Sequence, residues 1–268
     1  MPITISHPAA AIPFRCFDLV LSALIVGSMI PDFEFFLKLS DGKVIGHTIP
    51  GIFLFCIPLG LTVLFVFHKL IKFPLLSLLP YKHQAKLYPF AKKFHFFPAR
   101  RFIHIILSLF TGIASHLIWD SFTHHDGFMV KLFPFLSNTV FSFPQGDIRL
   151  YFILQYAGSV LGLIMIIYWY RKWFYHAKPV DNFVPYKFHL PHKFKILSAI
   201  LFFSASGGLT FGYFTFDGKN STELIKSFIT QSSIASFSGF LFALLIFGIM
   251  WHYFLPHNKK SIDIKNEI

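Results

Sequence analysis

The sequence predicts an all-α protein, a polytopic membrane helix bundle of about five to six transmembrane helices. Three observations carry this. Mean hydropathy is +0.60, with 54% hydrophobic and 13% charged residues in 268, too apolar for a soluble domain that must cover itself with polar surface. Five uncharged stretches, at 49–67, 102–119, 150–170, 196–216 and 234–255, approach the roughly 20 helical residues that cross a bilayer. Finally, the 24 Lys and Arg residues are not scattered: more than half fall at 72–101 and 171–195. That is the distribution the positive-inside rule produces when both loops are cytoplasmic, and it argues against nucleic acid as the reason for a net charge of +12.

Taken in order, the first apolar stretch, 19–30, lies between Asp18 and Asp32 and is too short for a standard span. It fits a half-span, a re-entrant segment or a tilted helix completed by its flanks. Residues 32–48 carry two bases against three acids and suit the outer side. The loop at 72–101 has seven bases, no acid, and prolines at 74, 80, 89 and 98. Those prolines predict short amphipathic pieces on the anionic inner leaflet, or a solvated loop, rather than one continuous helix. Residues 120–149 again carry two bases against three acids, and alternation then puts Lys259, Lys260 and Lys265 inside. Tyr168, Trp169, Tyr170 and Trp173, and later Trp251 and Tyr253, form interfacial belts.

With no repeat and no Gly/Ser linker, residues 1–268 are expected to form a single helical membrane domain, with a motif-bearing half at 1–147 and a scaffold half at 148–268. Cys16 and Cys56 are expected as buried free thiols. Pro8, Pro13 and Asp18 interrupt any secretory pattern, so the first helix is expected to be retained.

Chemistry concentrates in four motifs. His116, Asp120 and His124 are spaced by four, which puts them along one helical stripe, since each step of four advances about 40° around the axis. A carboxylate at bilayer depth costs roughly 2.5 to 3.5 kcal/mol, and metal coordination is the sharpest explanation for one between two histidines. The other motifs are His7-Pro8, Pro31-Asp32-Phe33-Glu34 and Gly46-His47-Thr48-Ile49-Pro50-Gly51. Asp32 follows the first apolar stretch, His47 precedes the second, and His116 to His124 end the third. Alternating spans therefore gather these three motifs, those of Asp32, His47 and His116 to His124, at the outer face. Taken singly, Asp32 also fits a helix terminus or cap and His47 an interfacial histidine, and Asp32 and Glu34, two apart, diverge on a helix. His7 falls on the opposite side if 19–30 truly crosses. Oxygen and imidazole ligands without thiolate suit a divalent ion: Zn, Mn, Fe or Mg.

Together these residues resemble a bacterial integral membrane protein family of the domain-of-unknown-function class, number 4184 in that series. The matching segments are Ser6 to Ala10, Gly27 to Phe33, His47 to Gly51, and Ser115 to His124 followed by Asp126-Gly127. More distantly, the motif order is similar to the membrane-bound metal-dependent hydrolases that include the inner-membrane partner of the LexA repressor, with an echo of zinc-dependent phospholipase C. The resemblance implies ligand roles for His7, Asp32, His47, His116 and Asp120. The chain departs from the hydrolase pattern where Glu34 replaces a second Asp, and where Val44-Ile45 stand in place of a His-Arg, which weakens the case for a binuclear site.

The expected function is a membrane-bound metal-dependent hydrolase of unknown substrate, with its site at the outer face of a bacterial inner membrane. The metal set is His116, Asp120, Asp32, His47, His124 and His7, with Asp120 or Glu34 as general base. Expected partners are membrane lipid and a phosphoester or other lipid-linked substrate, not nucleic acid. Two alternatives stand beside it: a structural or regulatory membrane protein in which the cluster only ties helices, and an ion- or proton-coupled transporter. The last three spans, empty of acids, disfavour the transporter.

Overall fold

A computed structural model describes residues 4–40, 42, 45–143, 146–181, 183, 188–218 and 221–254. The fold is all-α, with helices α1 (Pro8–Ala11), α2 (Leu21–Gly27), α3 (Phe33–Lys38), α4 (Ile49–Leu78), α5 (Tyr81–Lys93), α6 (Ala99–Thr123), α7 (Phe128–Leu132), α8 (Leu150–His176), α9 (Leu190–Thr215) and α10 (Ser221–Phe254). Five of them, α4, α6, α8, α9 and α10, are long and apolar enough to cross a membrane. They contain the five predicted stretches almost entirely and overrun several, because the helical hydrogen-bond ladder does not stop where hydrophobicity does and long cationic side chains reach back to the interface. Two strands that the all-α reading did not contain, β1 (Thr139–Phe143) and β2 (Gly146–Arg149), pair antiparallel with Phe141 opposite Ile148. Thr-Val-Phe-Ser-Phe is rich in β-branched and aromatic residues, which is the signal that strand carried.

The stretch at 19–30 stops short of a crossing helix, one of the forms its length allowed: α2 has seven residues, about 10 Å of rise, and a 3-10 turn at Ile30–Asp32 containing Pro31 follows it. The basic loop at 72–101 is interrupted after Leu78 and after Lys93, as its prolines predict, but Pro74 does not break α4, and neither does Pro58. A proline clashes with the carbonyl four residues back, here Leu54 and Leu70, and both lie in wide π-helical turns, Ile52–Cys56 and Phe67–Ile71. The wider turn accommodates the ring, so the helix runs into the basic loop as far as Leu78.

The chain forms two compact units. One comprises Met1–Glu34, Lys43–Leu64 and His95–Tyr175; the other comprises Phe35–Gly42, Phe65–Phe94 and His176–Ile268. In the first, Ile30, Cys56 and Ile113 are fully buried, and Val26, Phe33, Ile52 and Leu117 pack against them. Cys56 is thus a buried thiol, whereas Cys16 is exposed. In the second, α9 and α10 meet through small residues: a Cβ on Gly208 or Gly212 would stand 2.0 Å from Ser236 Oγ or Ser232 Oγ. Between apolar helices in lipid, such close approach is what association rests on. Basic residues there also serve as helix-end partners. Lys193 Nζ donates to Leu79 O at 2.6 Å, and Lys72 Nζ to Ala91 O at 2.7 Å.

Candidate metal centre

Four ligand-type side chains from three parts of the first unit converge. One ligand atom from each of Asp32, His47, His116 and Asp120 lies within 4.8 Å of the others. His116 Nε2 is 3.2 Å from Asp120 Oδ2, 3.3 Å from His47 Nε2 and 3.5 Å from Asp32 Oδ1. His47 Nε2 is 3.5 Å from Asp120 Oδ2 and 3.7 Å from Asp32 Oδ1. His116, Asp32 and Asp120 are buried, while the His47 side chain keeps 27% of its exposure, so the group is closed behind and open on the His47 side.

The tautomer of His116 follows from its neighbour. Its Nδ1 is 2.9 Å from the Ser28 carbonyl, which only accepts, so Nδ1 carries the hydrogen. In the neutral ring, Nε2 then presents a lone pair toward two carboxylate oxygens and a second imidazole nitrogen. Acceptors facing one another repel unless a cation or a further proton stands between them. An imidazole whose other nitrogen donates to a backbone carbonyl is also the usual support of a metal-bound histidine. The Asp32 carboxylate is oriented likewise: Thr4 Oγ1 donates to Oδ2 at 2.7 Å, leaving Oδ1 toward the histidines.

Close packing of α2 on α6 delivers the Ser28 carbonyl. A Cβ on Gly27 would lie 2.3 Å from Leu109 O, and one on Gly112 would lie 2.5 Å from Leu24 O, so both positions need glycine for the backbones to approach. Val20 N donates to Ser108 Oγ at 2.8 Å and pins the start of α2 to the same helix. Ser28 lay within a matching segment without a role of its own, and Thr4 lay outside every motif. Hydroxyl and carbonyl groups are everywhere in a chain, and only the fold selects these two.

The remaining candidates occupy different places. His7 joins the cluster, because α2 is too short to carry it across a membrane: its ring lies 4.1 Å from that of His116, and Nε2 is 3.8 Å from Asp120 Oδ1. Among the described residues, both His7 nitrogens and Asp120 Oδ1 are buried without a hydrogen bond. Burial, with His116 alongside, pushes the His7 pKa down from 6.5 to about 4 and keeps the ring neutral. Glu34 sits apart from the four. Its Oε2 accepts from Ile45 N at 2.7 Å and Gly46 N at 2.9 Å, and so holds the turn that presents His47. His124 leaves the predicted stripe, because α6 ends at Thr123 and His124 is an extended cap residue with φ −113 and ψ 144. Its Nδ1 lies 3.7 Å from Asp120 Oδ1, and its Nε2 is 3.2 Å from Gln155 Nε2 of α8.

Two carboxylates and two imidazoles suit a divalent ion in donor type, and the inward-facing acceptors are the observation that fits one. The protein is therefore a membrane-type helical protein with a largely buried Asp-His-His-Asp group whose ligand atoms stand close enough together that they could hold a metal ion. It belongs to the family described as Domain of unknown function (DUF4184), which matches residues 1–249 and so spans every residue of the cluster. No curated protein and no solved structure matches the chain. The likeness to membrane-bound hydrolases rests on the motifs alone.

Proposed function

We propose that this protein is a metal-dependent hydrolase of the bacterial inner membrane, acting at its outer face on a phosphoester or other lipid-linked substrate. The observation that supports this most is the convergence of three acceptor atoms around a fourth, His116 Nε2, at 3.2 to 3.5 Å, on a group open at one side. Asp32 Oδ1, His47 Nε2, His116 Nε2 and Asp120 Oδ2 would hold a divalent ion, which when bound would supply Lewis acidity to a phosphoryl oxygen and acidify a water at the site.

The chain's own groups do the rest. Asp120 uses one oxygen as a ligand and keeps Oδ1 without a hydrogen bond, so Oδ1 is the general base that takes the proton of the attacking water. The neutral ring of His7 stands beside that oxygen, its Nε2 3.8 Å away. Glu34, engaged by two backbone amides, positions His47 and does not act as base. Substrate enters beside His47, away from the fully buried His116.

Elemental analysis of detergent-purified protein tests this beside His116→Ala, Asp120→Ala and Asp120→Asn. The expected result is about one divalent ion per chain, lost in the alanine variants, with Asp120→Asn folded but weak in metal and inactive toward bis(p-nitrophenyl) phosphate and phospholipid vesicles. A wild type without metal whose melting ignores chelators, and which His116→Leu with Asp120→Leu stabilises, would overturn the proposal in favour of a helix-tying cluster.

A further inference from the structure

Between α6 and α8, residues 128–143 carry one charge, Lys131, and ten large apolar or aromatic side chains. Phe128, Leu132, Phe135, Phe141 and Phe143 are each more than half exposed. In water this would be an apolar patch with nothing to cover it. It is too short and too broken to cross a bilayer, consisting of α7, a 3-10 turn at Pro134–Ser137 and β1, which pairs with β2.

Its surroundings are fixed by its tethers. It begins just after Thr123, the last residue of one candidate span, and returns at Leu150, the first of the next, with Leu150 N donating to Asn138 O at 3.1 Å. Both ends thus emerge at one membrane face, and the segment cannot leave the level at which α6 presents Asp120. Charges flank the apolar run on either side, Asp126 before it and Asp147 and Arg149 after it. Within β1 the two faces differ. Phe141 and Phe143 share one side with Ile148 opposite Phe141, whereas Ser142 pairs with Asp147 on the other.

We propose that residues 128–143 form a platform whose phenylalanine face is immersed in the lipid leaflet beside the Asp32/His47/His116/Asp120 group. The occupant is the leaflet itself: the platform is continuous with the lipid-facing surface of two spans, its apolar side fits acyl chains, and its charged rim fits headgroups. On the metal-hydrolase reading above, on which this last consequence rests, a substrate reaches the site from the bilayer rather than from bulk water.

The test places single cysteines at 141, 142 and 143 of the full chain, in a Cys16→Ser, Cys56→Ala background. Each is labelled with an environment-sensitive fluorophore and reconstituted in phosphatidylethanolamine/phosphatidylglycerol vesicles. Brominated lipid should quench the probes at 141 and 143 about threefold more than that at 142, with aqueous iodide showing the reverse, because successive strand side chains face opposite ways. Phe128→Cys supplies a second apolar site if the strand variants do not fold. Equal iodide quenching at all positions would overturn the proposal. So would shielding from both quenchers together with chain-to-chain disulfides at 141, which would mean that a second copy covers the face. Metal analysis of the same labelled proteins, with the cluster intact, separates the two readings: lipid quenching in protein that holds no divalent ion keeps the platform and removes the hydrolase, and a bound ion with iodide-accessible probes does the opposite.

Discussion

Replacing Gly27 with alanine disturbs the cluster without touching a ligand. The new Cβ would stand 2.3 Å from the Leu109 carbonyl oxygen, about 1 Å inside an ordinary contact, and the obstacle is backbone that cannot rotate away. α2 must therefore move off α6 by about that distance, at a cost of roughly 1 to 3 kcal/mol in overpacking strain. The next residue is Ser28, whose carbonyl accepts from His116 Nδ1 at 2.9 Å; displaced by about 1 Å, the pair passes beyond hydrogen-bonding range. Loss of such an outer partner typically weakens metal affinity by about 10- to 100-fold. Competition titration with a chromogenic chelator measures the affinity, and thermal melts in detergent measure the strain. Gly207→Ala is the control, since its Cβ meets nothing within 4 Å; in mid-helix it should be neutral or stabilising by about 0.5 to 1 kcal/mol. A Gly27→Ala protein that binds metal like wild type would refute the coupling between helix packing and the cluster.

Two other outcomes follow from the same geometry. Glu34→Ala strands the amides of Ile45 and Gly46; Ile45 is exposed to solvent, but Gly46 is buried and its orphaned amide costs about 1 to 3 kcal/mol, so the change should lower both the melting temperature and metal affinity. Turnover lost in Glu34→Gln at unchanged melting temperature and metal content would instead make Glu34 the base. For topology, an impermeant maleimide on intact cells should label Ser137→Cys and spare Lys86→Cys in a cysteine-free background; the reverse labelling would put the cluster on the cytoplasmic side.

The five long helices were determined by sequence alone, because helix burial in lipid depends on composition over about 20 residues and needs no knowledge of neighbours. The motif residues were legible for a related reason: Asp32 and Asp120 are conspicuous in apolar chain, and His116 precedes Asp120 by one helical turn whatever the fold. Tertiary structure decided what spacing cannot carry. Whether His7 reaches the cluster turns on α2 stopping after seven residues. Glu34 and Asp32, two apart and equally acidic, part company because one finds two backbone amides and the other two histidines. His124 is drawn off its stripe by the helix end and by Gln155, from a span that looked like scaffold. Ser28 and Thr4 were invisible because a carbonyl or hydroxyl becomes a partner only where the fold brings another group within about 3 Å, and such meetings belong to distance in space, not along the chain.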